Sequence, residues 1–151
     1  MKIVTDLGLL KIKSSPVDNI NTPIMQNLFG DMVQTMYENE GIGLAAPQIG
    51  VQKRMIVVSG MNIHSNWLVA NPEIVAKSDE MVENVESCLS IPNYSGLVFR
   101  HKLVVVRYLS YNGTQFTENF VENLAIVFQH EIDHLDGILF TDRTKKVWKN
   151  A

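Results

Sequence analysis

The segment Gln129-His130-Glu131-Ile132-Asp133-His134 holds the densest group of chemically capable side chains in this chain. Residues four apart share one face of a helix, so the His130 and His134 imidazoles can meet a single divalent ion. Glu131 then stands beside the first ligand. Its carboxylate reaches a water activated by the ion rather than the ion itself, which is where a general base belongs. Asp133 and Asp136 read as solvated or outer carboxylates near the helix end. On its own the pattern points to metal-assisted hydrolysis and does not separate one class of hydrolase from another.

A catalytic ion needs a third protein ligand and one open position. Cys88, His64, His101 or a carboxylate can supply that ligand. His64 lies in the polar stretch Asn62-Ile63-His64-Ser65-Asn66 and reads as a loop residue. His101 follows Arg100 at an expected strand start and reads as exposed. Cys88 sits in the turn-like Glu86-Ser87-Cys88-Leu89-Ser90-Ile91-Pro92, and a thiolate is a strong ligand for Zn²⁺ or Fe²⁺. As the single cysteine, it forms no internal disulfide; a small buried hydrophobe is its other reading. A second stretch, Gly41-Ile42-Gly43-Leu44-Ala45-Ala46-Pro47-Gln48, lacks the lysine of a phosphate loop and follows a helix, which disfavours nucleotide binding. Its small residues let backbone approach a ligand closely and put the Gln48 amide beside it. A tight, well-packed turn is the alternative.

These residues need elements to hold them. Asn21-Thr22-Pro23 predicts a helix start. Two adjacent rows, Ile24, Leu28, Met32, Met36 and Met25, Phe29, Val33, Tyr37, predict one broad apolar face, with Gly41 as the stop. Arg54-Met55-Ile56-Val57-Val58 and Leu103-Val104-Val105-Val106-Arg107-Tyr108 predict buried strands. Asn112-Gly113 predicts a tight hairpin into Thr114-Gln115-Phe116-Thr117. A second helix is expected from about Glu122 to Asp136, stopped by Gly137. Hairpin signals dominate and no βαβ alternation occurs, so the expected class is α+β, with antiparallel sheets packed around a central metal-binding helix.

The chain has 151 residues, 46% hydrophobic and 19% charged, with a net charge of -3. One domain spanning residues 1–151 is expected. The charge offers no basic footprint for nucleic acid, and no apolar run is long enough to span a membrane. The first residues, Met1-Lys2-Ile3-Val4-Thr5-Asp6, lack the pattern of a signal peptide. With the lone cysteine, this favours a cytoplasmic setting.

Three segments in order resemble the motifs of the peptide deformylases: Gly41 to Gln48, Glu86 to Ser90, and Gln129 to His134. The resemblance extends from the first helix to Phe140. It implies hydrolysis of the formyl group from the N-terminal formylmethionine of newly made polypeptides, with release of formate. It implies Cys88, His130 and His134 as ligands of one divalent metal, Fe²⁺ in the cell and Zn²⁺ or Ni²⁺ as purified. Glu131 would move protons, and Gln48 with the Leu89 backbone N–H would stabilise the oxyanion. Backbone at Ile42 and Gly43 would pair with the extended peptide. Ile42, Ile126, Val127 and His130 would line a methionine pocket. Glu86 and Arg100 would brace the cysteine loop. The protein is expected to act as a monomer on nascent formyl-Met peptides in a bacterial cell, or as the product of a virus that infects one.

The chain departs from the family pattern in several places. Ser87 stands where the second motif usually has glycine, and would be strained if that backbone required positive φ. Glu122-Asn123-Leu124 replaces a usual glycine before the third-motif helix, which would alter how that helix begins. The usual Asp-Pro opening near the N-terminus is absent. The chain stops at Ala151 without the C-terminal helix that bacterial members use at the ribosome, so docking by that route is not expected. Two other functions compete. A metallopeptidase would use His130, Glu131 and His134 alone and leave Cys88 and Gln48 idle. A purely structural metal site would fill all its positions with protein ligands, whereas only Cys88, His130 and His134 are evident.

Overall fold

The computed structural model describes residues 1–60 and 65–151. His64, read above as a loop residue, lies outside the described residues. After a single helical turn, α1 (Leu7–Leu10), comes the long helix α2 (Pro23–Glu38). Thr22 caps it, its hydroxyl accepting from Met25 N–H, and Pro23 follows where no amide donor is missed. Phe29, Met32, Thr35 and Met36 are buried. Ile24, expected on the apolar face, is 74% exposed, because it belongs to the first turn, beyond the layer it would pack on. The helix also ends earlier than Gly41. Glu40 takes the left-handed turn at φ 57, and Gly41 N–H instead bonds the Met36 carbonyl.

Among the described residues, eight strands follow: β1 (Gly43–Ala45), β2 (Met55–Val58), β3 (Trp67–Lys77), β4 (Met81–Cys88), β5 (Ile91–His101), β6 (Leu103–Ser110), β7 (Gln115–Val121) and β8 (Val147–Lys149). Between β7 and β8 lies the helix α3 (Glu122–Leu135). One sheet has the order β1-β2-β3-β6-β7 and the other β4-β5-β8. Every ladder between these strands is antiparallel. The α+β class expected from hairpin signals is the one observed.

Strand β2 is buried at every position because both faces of its sheet are covered. Ile56 and Val58 face a core with Ala125, Phe128, Ile132 and Leu135 of α3. Met55 and Val57 face the other way, toward Phe29, Met32 and Met36 of α2. Phe128 stacks on Phe120 of β7 at 3.9 Å between ring centroids, and Trp67 meets both rings edge-on. One stripe of α3 is thus anchored on the larger sheet. Ile126, Val127, His130 and Glu131 instead line a cavity bordered by residues of both sheets.

Arg54 lies outside the strand expected for it. Its guanidinium instead donates to the Leu135 carbonyl and Asp136 Oδ1 at the end of α3, both at 2.9 Å, where a cation suits the carbonyl end of the helix dipole. Strand β3, unread in the sequence, is broken by register shifts near Asn71 and Ile74. Pro72 there cannot donate to the ladder, and Asn71 takes φ 49 while its side chain bonds both backbone groups of Val17. The β6–β7 loop is longer than a two-residue turn, since Leu109 pairs with Gln115 and only Gly113 of the loop has positive φ. His101 ends a strand rather than starting one. It is half-buried, with Nδ1 2.7 Å from the Ser78 carbonyl oxygen.

The helix α3 stops as expected, with Gly137 at φ 73 just past it. Its start carries the departure noted above: Glu122 holds a left-handed φ of 55. Among the described residues, no helix is long and apolar enough to cross a membrane. A left-handed conformation costs a non-glycine residue about 1–2 kcal/mol, and glycine gives back part of that through its greater freedom when unfolded. Glu122→Gly is therefore expected to stabilise the fold by about 0.5 kcal/mol, read as a rise in the urea midpoint with an unchanged slope.

Candidate active site

Strand β4 and helix α3 bring three metal-capable side chains together. The ligand atoms of Cys88, His130 and His134 all lie within 4.8 Å of one another. Cys88 Sγ is 3.3 Å from His134 Nε2, and the two rings are 5.1 Å apart between centroids. A register shift between Ser87 and Cys88, where the β4–β5 hairpin turns through Leu89 and Ser90, aims the thiol. Ser87 itself lies in the extended strand and is not among the positive-φ residues. The strain considered for serine at this position therefore does not arise.

His130 Nδ1 lies 2.8 Å from Glu86 Oε1, which directs the other ring nitrogen toward the cluster. Glu86 is itself gripped by Arg100, whose Nε and Nη2 donate to its two oxygens at 2.8 Å each. Arg100 Nη1 reaches Asp133 Oδ2 at 2.5 Å. All three residues are buried, so this is no ordinary surface ion pair. Removing one member of such a buried network typically costs about 3–5 kcal/mol. Burial raises the Glu86 pKa, but hydrogen bonds from Arg100 and His130 outweigh it and bring it down to about 2. Burial lowers the His130 pKa, yet contacts with Cys88 and Glu86 carry it up to about 10. His134 goes the other way, well below its usual value, through burial and the charges of His130 and Arg100.

Glu131 is 5% exposed. Its Oε1 has no hydrogen-bond partner among the described residues, and burial pushes its pKa up to about 7. Gly43 of β1 leaves room for it, since a Cβ there would come within 2.6 Å of Glu131 Oε2. Gln48 is fixed from both sides. Its Oε1 accepts from Ala45 N–H at 3.0 Å, and its Nε2 donates to Cys88 Sγ at 3.5 Å and Ser90 Oγ at 3.2 Å. The amide hydrogens are therefore turned toward the cluster.

One cavity of about 670 Å³ opens onto these groups. Ile42, Gly43, Gln48, Leu89, Ile126, Val127, His130 and Glu131 all line it. The structure thus gathers the residues singled out by the family resemblance around the Cys88–His130–His134 cluster, with Arg100 one contact behind, whereas His101 is not part of it. Ile42 is 60% exposed and forms the rim rather than the floor. Ser90, Tyr94, Asn150 and Arg143 escaped the sequence reading. Ser90 closes the second motif but is given no role, and Tyr94 carries no pattern that marks it. Asn150 reaches the cavity wall only because β8 returns to pair with β5.

The donor set suits a metal. One thiol and two imidazoles match the preferences of Zn²⁺ and Fe²⁺, and three protein ligands leave a position open. Cys88, His130 and His134 can hold one ion, and the buried Glu131 carboxylate stands beside them.

Comparison with known proteins gives one answer. The family model described as polypeptide deformylase matches residues 1–150. A peptide deformylase of Finegoldia magna is 43% identical, over 89% of this chain and 83% of that protein. That of Natranaerobius thermophilus is 45% identical, over 95% of this chain and 91% of its own length. The crystal structure of a peptide deformylase from Legionella pneumophila superposes with a TM-score of 0.91 at 36% identity, covering 96% of this chain and 85% of that one. With its motifs, its fold and its buried cysteine–histidine cluster in agreement, the chain belongs to the polypeptide deformylase family.

Proposed function

We propose that this chain is a metal-dependent hydrolase that removes the formyl group from the N-terminal formylmethionine of nascent polypeptides. The observation that carries this reading is the cluster of Cys88, His130 and His134 beside the Gln48 amide and the Glu131 carboxylate, whose Oε1 has no partner among the described residues; all of these but His134 line one cavity. Cys88, His130 and His134 would hold the ion, most simply Fe²⁺ in the cell, with Zn²⁺ or Ni²⁺ in the purified protein. When bound, it would supply Lewis acidity that makes water nucleophilic at neutral pH.

The remaining steps belong to the protein. Glu131 would accept the proton of the attacking water and pass it to the departing amine nitrogen. A pKa raised by burial toward neutrality allows transfer in both directions. As the formyl carbon becomes tetrahedral, its oxygen gains negative charge, and Gln48 Nε2 with the Leu89 backbone N–H would donate to it. Each such donor is typically worth about 3 kcal/mol of barrier. Backbone at Ile42 and Gly43 would pair with the extended peptide, a contact that reads main chain and accepts many sequences. Ile126 and Val127 would receive the methionine side chain. Glu86 and Arg100 would keep His130 oriented. We place this activity in one catalytic domain spanning residues 1–151, working as a monomer in the cytoplasm.

The purified protein loaded with Fe²⁺ or Ni²⁺ is expected to release formate from a formyl-Met-Ala-Ser peptide. Cys88→Ala is expected to lose both bound metal, by elemental analysis, and turnover. Metal-loaded protein that leaves the formyl peptide intact would sink the reading. Glu131→Gln is expected to retain metal while kcat falls by roughly 10²–10⁴-fold, the usual worth of a positioned acid–base group. If Gly43 is needed to make room for the carboxylate, Gly43→Ala should also keep metal and lower kcat, by at least about tenfold, through displacement of Glu131. An unchanged kcat would refute that role.

A further inference from the structure

Behind the metal cluster, the charged residues run on past the groups already given a role. Arg143 follows the short helical turn Phe140–Asp142, well beyond the ligand-bearing helix. Its Nε donates to Asp133 Oδ2 at 2.5 Å and its Nη2 to Asp133 Oδ1 at 2.7 Å. Asp133 Oδ2 is shared with Arg100 Nη1. The result is an alternating line of charge: Arg143, Asp133, Arg100, Glu86, ending on the Nδ1 side of His130. Three members are almost wholly buried, whereas the Arg143 side chain is 42% exposed.

Building on the metal-site reading above, we infer that Arg143 is a positioning residue of the metal centre, holding His130 in its ligating orientation through Asp133, Arg100 and Glu86. The argument is one of partners. Among the described residues, Asp133 Oδ1 takes its hydrogen bond from Arg143 alone. Without that fork a buried carboxylate oxygen is left unpaired, a costly state. The nearest relief is rotation of Asp133 to take a second donor from Arg100. Arg100 already spends Nε and Nη2 on Glu86, so any such turn loosens Glu86 and with it the acceptor that orients His130. Partners that orient metal-bound histidines commonly change affinity 10- to 100-fold when removed. Arg143 acts on His130 through four successive contacts, so the lower end applies. Its planar fork also makes lysine an imperfect replacement.

The test measures metal binding rather than turnover. Zn²⁺ affinity is determined by chelator competition for the wild type, Arg143→Ala, Arg143→Lys and Cys88→Ala, with melting of the metal-free proteins in parallel. Arg143→Ala is expected to weaken binding about tenfold while the metal-free melting temperature stays close to wild type. Added methylguanidinium should restore part of the affinity. Arg143→Lys should fall between the two, and it carries the test if the alanine variant does not fold. In Co²⁺-loaded protein, the visible absorption spectrum should shift in Arg143→Ala. Affinity within twofold of wild type in Arg143→Ala would overturn the inference, or wild-type affinity in Arg143→Lys where the alanine variant does not fold, as would a loss that merely tracks a destabilised metal-free fold. Cys88→Ala separates the two readings: if it too binds Zn²⁺ like wild type, the metal site itself is misassigned.

Discussion

The bidentate pair between Glu86 and Arg100 ties the two halves of the molecule together. Glu86 comes from β4 and Arg100 from β5, so the pair stiffens the hairpin that delivers Cys88. Through His130 and Asp133 the same two side chains grip α3, which is packed on the other sheet. A buried guanidinium and a buried carboxylate cannot separate without leaving a charge stranded, at a cost of about 3–5 kcal/mol. The ion pairs thus join the hairpin that carries the thiol to the helix that carries the imidazoles.

That junction lets one helix serve two opposed needs. Its Ala125, Phe128, Ile132 and Leu135 stripe is ordinary core. Its other stripe carries four polar or ionisable groups, His130, Glu131, Asp133 and His134, at little or no solvent exposure. Such groups are tolerated in a packed interior only when partnered. Glu86 partners His130, and Arg100 and Arg143 partner Asp133. Glu131 Oε1 and His134 Nδ1 remain without partners among the described residues. In Glu131 the unmet demand falls on the group proposed to handle protons, where an elevated pKa is useful rather than merely costly.

Much of this was legible in the chain. The spacing of His130 and His134, the glycines around Ile42 and the cysteine turn each reflect a local constraint: a helix period, a close backbone approach, a hairpin corner. Local constraints of that kind leave patterns in sequence. What stayed hidden depends on distant pairings. Strand β3, with Asn71-Pro72 in its middle, breaks the alternation that marks a strand. Ile24 satisfies the helical period yet lies beyond the surface it would cover. Arg54 reads as the first residue of a strand and is instead a clamp on the end of α3.

Sequence alone determined the identity of the chemical groups and the class of fold, because residue type and short-range periodicity carry both. It offered Cys88, His64, His101 or a carboxylate as the third ligand, and the turn around Cys88 with its thiolate chemistry already favoured the cysteine before the family resemblance named it. Tertiary structure decided the rest. It placed Cys88 beside His134, turned the Gln48 amide toward the thiol and buried Glu131. It also resolved two of the departures from the family pattern in opposite ways: Ser87 sits in an extended strand without strain, while Glu122 takes the left-handed turn itself. The physical reason is common to all of these. Burial and partner are properties of residues far apart in the chain, fixed only when the sheets close on the helix.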